Sequence, residues 1–199
     1  MIVGQPIDER ERQELCDLLL ELGPDAPTLC EGWTTADLAA HLVLREHFRR
    51  WNEARRATEK ARGLPALVHR LRSGAPLVPW RVPGVRTYVN GLEYLIHHED
   101  VRRANGRGRR ADRPDLDDLS WRMAGFIGRR LAHRIRPFGL ELLRPDGLHR
   151  RIGSGAPAVL KGEPTELVLY LSGRRASAEV VLDGSVDAVA AMRRAPIGL

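Results

Sequence analysis

The chain has 199 residues, 43% of them hydrophobic, 29% charged and 5% aromatic, enough for one domain with a small appendage and too apolar for global disorder. Lysine and arginine together number 32 against 26 acids, a formal charge of +6, and only Lys60 and Lys161 are lysines. No run approaches the ~18 apolar residues of a membrane span, and the opening segment has neither a basic nor a hydrophobic signal region. Cys16 and Cys30 form no CxxC pair, which points to a reduced, cytoplasmic setting with no membrane partner.

The basic excess invites a nucleic-acid surface, but the arginines are scattered among acids. The one dense run, Arg102 to Arg110, follows a helix, where cations meet the negative end of the dipole. A DNA-binding regulator is therefore the weakest reading, and nucleic acid is disfavoured as a partner.

From residue 8 to about 135 the apolar period is helical. Asp8 is placed to cap a first helix with Leu15, Leu18, Leu19 and Leu22 on one stripe, and Gly23-Pro24 stops it. A loop through Trp33 leads to a second helix from Thr34 or Thr35 toward Lys60, with Asp37 completing a capping-box-like pair with Thr34. Residues 61–84 are rich in proline and glycine, with a helical stretch near Pro65 to Arg72, and read as a crossover or lid. A third helix spans about Val85 to Ala104 and ends at Asn105-Gly106. A fourth spans about Leu116 to Arg134. Four amphipathic helices with one long link predict a four-helix bundle over residues 1–135.

After Pro137 the period changes. Phe138 to Leu143 and Leu148 to Ile152 flank the turn Arg144-Pro145-Asp146-Gly147 as a hairpin. A strand over Ala158 to Leu160 follows, then a helix from Pro164 to near Gly173, a strand over Ala178 to Leu182 and a helix from Ser185 to Arg194. The order predicts a small α+β domain over residues 136–199, so the fold class is mainly α with an α+β tail.

The segment that carries chemistry runs from Leu92 to Val101. Helical spacing puts Val89, Glu93, Ile96, His97, Asp100 and Ala104 on one stripe, and rotates His98 and Glu99 away toward solvent. Glu93 and His97 lie one turn apart, with Asp100 in reach of His97. His41, between Ala40 and Leu42, also looks inward. His41, Glu93 and His97 together form a two-histidine, one-carboxylate set with an open coordination position. Zinc leads, while nickel and ferrous iron remain open on ligand type. Asp100 is the candidate to orient a histidine ring. Taken alone, such a Glu-x-x-x-His pair is more often a salt bridge, and such a histidine more often a core residue.

The segment Cys30-Glu31-Gly32-Trp33-Thr34-Thr35-Ala36-Asp37-Leu38-Ala39-Ala40-His41-Leu42, followed by Glu93-x-x-x-His97-x-x-Asp100-Val101, resembles the mycothiol-dependent maleylpyruvate isomerase family, within the DinB-like superfamily. The stretch Gly162 to Arg174 is similar to that family's C-terminal domain. The resemblance implies an up-down-down-up bundle, a divalent metal on His41, Glu93 and His97, and mycothiol as co-substrate for an isomerase or thiol-transferase reaction on a small electrophile. A coordinated thiol is deprotonated, and the thiolate is the nucleophilic form. Arg45, Arg174 and Arg175 are candidates for holding an acidic substrate or the thiol, and Trp80 on the long link could cover the site. The chain is shorter than the isomerase itself, and residues binding that substrate are not matched. A non-catalytic metal-binding or stress-response protein is the alternative, as a monomer or homodimer.

The remaining singled-out residues read as packing or surface groups. Cys30 reads as a small buried neighbour of Trp33, Trp33 as a staple of the loop and Trp121 as a packing residue. His47, His69, His133 and His149 have no partner at useful spacing.

Overall fold

A computed structural model of the chain describes residues 5–46, 52–74 and 85–197, with only the backbone of residues 85–87. Among these residues there are eight helices and four strands. The protein is mainly helical with a small C-terminal sheet, as the sequence predicts. By packing, the chain divides into two compact units, 1–111 and 112–199.

In the first unit, α1 (Ile7–Leu22) packs along α5 (Val85–Ala104) and α4 (Leu64–Ser73). The second helix, α2 (Thr35–Glu46), packs on α4 and on α3 (Glu53–Lys60). Leu15, Leu19, Leu38, Leu42, Leu67, Leu71 and Tyr94 form one core cluster. The capping pair is present: the Thr34 backbone N–H donates to Asp37 Oδ2 at 3.1 Å and the Asp37 backbone N–H to Thr34 Oγ1 at 3.4 Å. Lys60 Nζ, 2.7 Å from Asp37 Oδ2, and the Arg56 guanidinium fasten α3 to the start of α2.

Two expectations change here. Asp8 lies buried inside the first turn of α1, and Pro6 occupies the cap position, so the helix begins before the residue expected to cap it. The expected continuous helix to Lys60 gives way to a new start at Asn52, whose side chain accepts from the Arg55 backbone N–H at 2.8 Å. An asparagine cap is a helix-start signal that outweighs the continuing apolar period. His47 and Trp80 lie outside the described residues.

The second unit holds α6 (Pro114–Arg134), β1 (Gly139–Leu143), β2 (His149–Ile152), β3 (Pro157–Lys161), α7 (Pro164–Leu171), β4 (Val181–Gly184) and α8 (Val186–Arg194). Helix α6, read from the sequence with the bundle, packs in this unit on α7, β1 and β2. Its Gly125 and Gly128 permit the close approach: a Cβ at Gly125 would fall on the Arg150 guanidinium, and one at Gly128 would sit 3.0 Å from Ile152 Cδ1. The sheet order is β2-β1-β3-β4, with β1 and β3 parallel and the outer pairs antiparallel.

Strand β4 begins three residues later than the sequence suggests. The Glu179 backbone N–H is taken by Glu166 Oε2 at 2.8 Å and Val180 turns back on Ala178, so the ladder to β3 starts at Val181. Ser185 caps α8, its hydroxyl accepting from the Ala188 backbone N–H at 3.3 Å.

Candidate metal centre

The site is built by α2, α5 and the loop before α2. That loop is closed by a bridge between Pro27 and Thr34, and by Thr28 Oγ1 donating to the Trp33 carbonyl at 3.0 Å. It is tied to α5 by the Leu29 N–H donating to the Asp100 carbonyl at 3.1 Å, and by Asn105 Nδ2 donating to the Pro27 carbonyl at 3.0 Å. Trp33 packs against the core cluster, its ring centroid 5.2 Å from that of His41 and 4.9 Å from the Arg56 guanidinium carbon. It therefore staples the loop and walls the His41 ring at once.

Three ligand atoms converge. His41 Nε2 and His97 Nε2 each lie 3.4 Å from Glu93 Oε1, and the set His41, Glu93, His97 could hold a metal ion, with ligand atoms all within 4.8 Å of one another. The two imidazole rings stand edge to face, 5.4 Å apart. Asp100, with no exposed surface, holds His97 Nδ1 at 2.9 Å, which leaves Nε2 directed at the convergence point. Such a carboxylate fixes both ring orientation and tautomer. His41 Nδ1 is buried without a hydrogen-bond partner among the described residues, and its ring packs against Trp33.

The electrostatics favour an ionised Glu93 and a proton on His97, which a metal ion would have to displace. Burial alone would raise the Glu93 carboxyl, but hydrogen bonds from His41 and His97 and the charges of His97 and Arg45 hold it well below the usual carboxylate range. For His97 burial works against protonation, and the bonds to Asp100, Cys30 and Glu93 reverse it, raising the imidazole well above its ordinary value. Two histidines and an ionised carboxylate around one point suit a borderline divalent cation.

Arg45 joins the site. Its Nε lies 3.3 Å from Glu93 Oε1, Nη1 donates to Asn90 Oδ1 at 3.0 Å and Nη2 to the Val89 carbonyl at 3.3 Å. The other two arginines lie in the second unit. Arg174 donates to the Ser172 carbonyl at 2.8 Å, and Arg175 closes the end of α8 by donating to the Met192 and Ala195 carbonyls.

Sequence reasoning missed two features. Cys30, read as a packing residue, places Sγ 3.3 Å from Asp100 Oδ2 and 3.9 Å from His97 Nδ1, so Cys30, His97 and Asp100 form a second group that could hold an ion. Its place two residues before the Gly32 turn is the only sequence signal, and the apposition needs the loop to fold over α5. His98 and Glu99, expected in solvent, are buried. His98 Nδ1 lies 3.2 Å from Glu11 Oε2, while Arg110 bonds Glu11 Oε1 and Glu99 Oε1, each at 2.8 Å. Arg103 Nε adds a bond to Glu99 Oε2 at 2.9 Å. The dense arginine run is thus largely an internal counter-charge for carboxylates brought in by α1 and α5.

No protein-family model and no curated protein matches the sequence. Among solved structures, the chain is similar to the crystal structure of the mycothiol-dependent maleylpyruvate isomerase, at 18% identity and TM-score 0.53 over 91% of each chain. A structure of a histidine-to-alanine mutant of that isomerase aligns over 90% of this chain and 89% of its own, at 19% identity and TM-score 0.47. At such identity the likeness is one of fold. The chain is a mainly helical protein with a candidate metal centre at His41, Glu93 and His97. Its particular fold is that of the mycothiol-dependent maleylpyruvate isomerase, which is where the sequence motifs also point.

Proposed function

We propose that this protein is a divalent-metal enzyme of the mycothiol-using kind, holding zinc on His41 Nε2, Glu93 Oε1 and His97 Nε2. The observation that carries the reading is the convergence of these three atoms while Asp100 occupies the far nitrogen of His97. Bound there, the metal would supply a Lewis acid that lowers the pKa of a thiol or water. The side chains do the rest. Asp100 keeps His97 in the ligating tautomer, Trp33 fixes the His41 ring, and Arg45 brings a positive charge beside Glu93 for a polar thiol or an acidic substrate. The thiol would attack a small electrophile, in an isomerase or thiol-transferase reaction.

A competing placement puts the ion on Cys30, His97 Nδ1 and Asp100. It suits a structural, non-catalytic ion, because Asp100 is fully buried and its Oδ2 already links Cys30 to His97. The open set at His41 and Glu93 leaves both of those side chains part-exposed, as a substrate site requires.

The test is elemental analysis of purified protein with thermal shift against mycothiol. The expected result is about one divalent ion per chain, lost in His41→Ala and His97→Ala, with a mycothiol shift only in the metal-loaded protein. Metal content untouched by both substitutions would remove the site. Metal binding without any thiol shift or turnover of thiol-electrophile pairs would favour a non-catalytic metal-binding protein.

A further inference from the structure

We propose that the second unit carries an anion-binding cleft of its own, fitted to a small organic anion: a carboxylate, sulfonate or phosphate joined to an apolar body. The cleft has a volume of about 660 Å³ and lies between the last turns of α6, the segment that follows it and the end of β2. That is in the range of small-molecule sites, roughly 300–1,000 Å³.

Its chemistry is one-sided. Arg129 and His133 are one turn apart on α6, and Arg136 continues the same stripe past the helix end, so all three line one wall. Among the described residues, no carboxylate lines the cleft. Pro137, Phe138 and Ile152 supply an apolar floor, with Phe138 and Ile152 half-buried. The result is two arginines and a histidine above an apolar surface, the arrangement that recognises an amphipathic anion rather than a free inorganic ion.

The contrast with the first unit makes these side chains stand out. There Arg56, Arg70, Arg72, Arg103, Arg107 and Arg110 are each in an ion pair. Among the described residues, the side chains of Arg129, His133 and Arg136 have no hydrogen bond or ion pair. Arg150 feels Arg129 as a like charge, its pKa being lowered first by burial and then by this neighbour. The nearby α6 terminus presents its negative dipole end, so the side chains must supply the whole attraction. A ligand therefore needs both the charge and the apolar body.

The probe is 1-anilinonaphthalene-8-sulfonate, with the uncharged N-phenyl-1-naphthylamine as its control, each titrated by fluorescence into the full chain. The sulfonate should bind in the native state, roughly tenfold or more tighter than the neutral amine. Arg129→Gln with Arg136→Gln should weaken the sulfonate by about tenfold or more while leaving the neutral amine within about twofold. His41→Ala should leave both unchanged, which separates this cleft from the metal centre. The variant's melting temperature and far-UV spectrum confirm that it folds, and Arg129→Lys, which keeps the charge, should restore most of the binding. Equal affinity for both probes, or sulfonate binding indifferent to the arginine changes, would overturn the proposal. So would duplex DNA displacing the sulfonate with a steep salt dependence, because the face would then read phosphate backbones.

Discussion

The two units solve the same packing problem with different interiors. The first buries Asp8, Glu11, Asp37, Glu46, Glu59, His97, His98, Glu99 and Asp100 among its leucines. The second is closed by Leu140, Leu142, Leu160, Leu167, Leu169 and Met192, with Glu166 the one fully buried carboxylate among its described residues. Buried charge is costly unless each group is paired. The first unit meets that condition for Glu11, Glu99, Glu59 and Asp37 with Arg110, Arg103, Arg70 and Arg56, and uses the same helix, α5, to carry Glu93 and His97. Ionic interiors and ligand positioning therefore share one set of backbone supports there, whereas the second unit is an apolar scaffold with Arg129 and Arg136 on its surface.

Breaking the first interior should give the largest effect. Arg110→Met leaves Glu11 and Glu99 buried without their shared guanidinium, and should cost about 3–5 kcal/mol. Hydrogen exchange should show protection lost over residues 5–111 more than over 112–197. Equal loss in both, or none, would erase the distinction between the units.

Acid should act on the same place. Burial favours a raised Glu11 pKa, but the His98 hydrogen bond and the Arg110 charge win and hold it down to about 2, from an ordinary 4.5. A depressed carboxylate contributes stability that is fully present above about 4.5 and lost as pH falls toward 2. His98 is lowered, chiefly by burial and then by the Arg110 charge. It must gain a proton below its ordinary 6.5 on unfolding, so its contribution also falls with pH. Together these should remove a few kcal/mol between about pH 6.5 and 3, measured by denaturant titration. In Glu11→Gln the loss should be visibly shallower.

A smaller effect separates site geometry from stability. Asp100→Asn should weaken zinc binding about 10–100-fold while folding persists, because only the far nitrogen of His97 loses its carboxylate. Competition with a zinc-binding dye reads this directly. In the second unit, Ser185→Ala removes the α8 cap and should cost about 1 kcal/mol. Its thermal shift should be the same at pH 7 and pH 4, in contrast to changes in the Glu11 network.

Much of the fold was legible because local signals agree with one another. The Thr34 and Asp37 pair and the glycine stops act within four residues, and each lies where the sequence puts it. The convergence of Glu93 and His97 is equally local, and His41 joins it through one helix contact. His98 and Glu99 were misread because an angular projection of α5 assumes one solvent face, whereas from Asn90 to Val101 nearly every residue is buried. Their partners come from Glu11, on another helix, and from Arg110, beyond a turn. Cys30 reaches Asp100 only when the loop bonds along α5 through Leu29, a contact that no spacing rule contains.

The central claim is where a metal binds, and among the described residues three clusters of ligands compete for it: His41 with Glu93 and His97, Cys30 with His97 and Asp100, and Glu11 with Glu14 and His98. An anomalous-scattering map from crystals of zinc-loaded protein distinguishes them in one measurement. The account predicts a single strong peak about 2.0–2.2 Å from His41 Nε2, Glu93 and His97 Nε2. A peak at Cys30 or at Glu11, or none at His41, would contradict it.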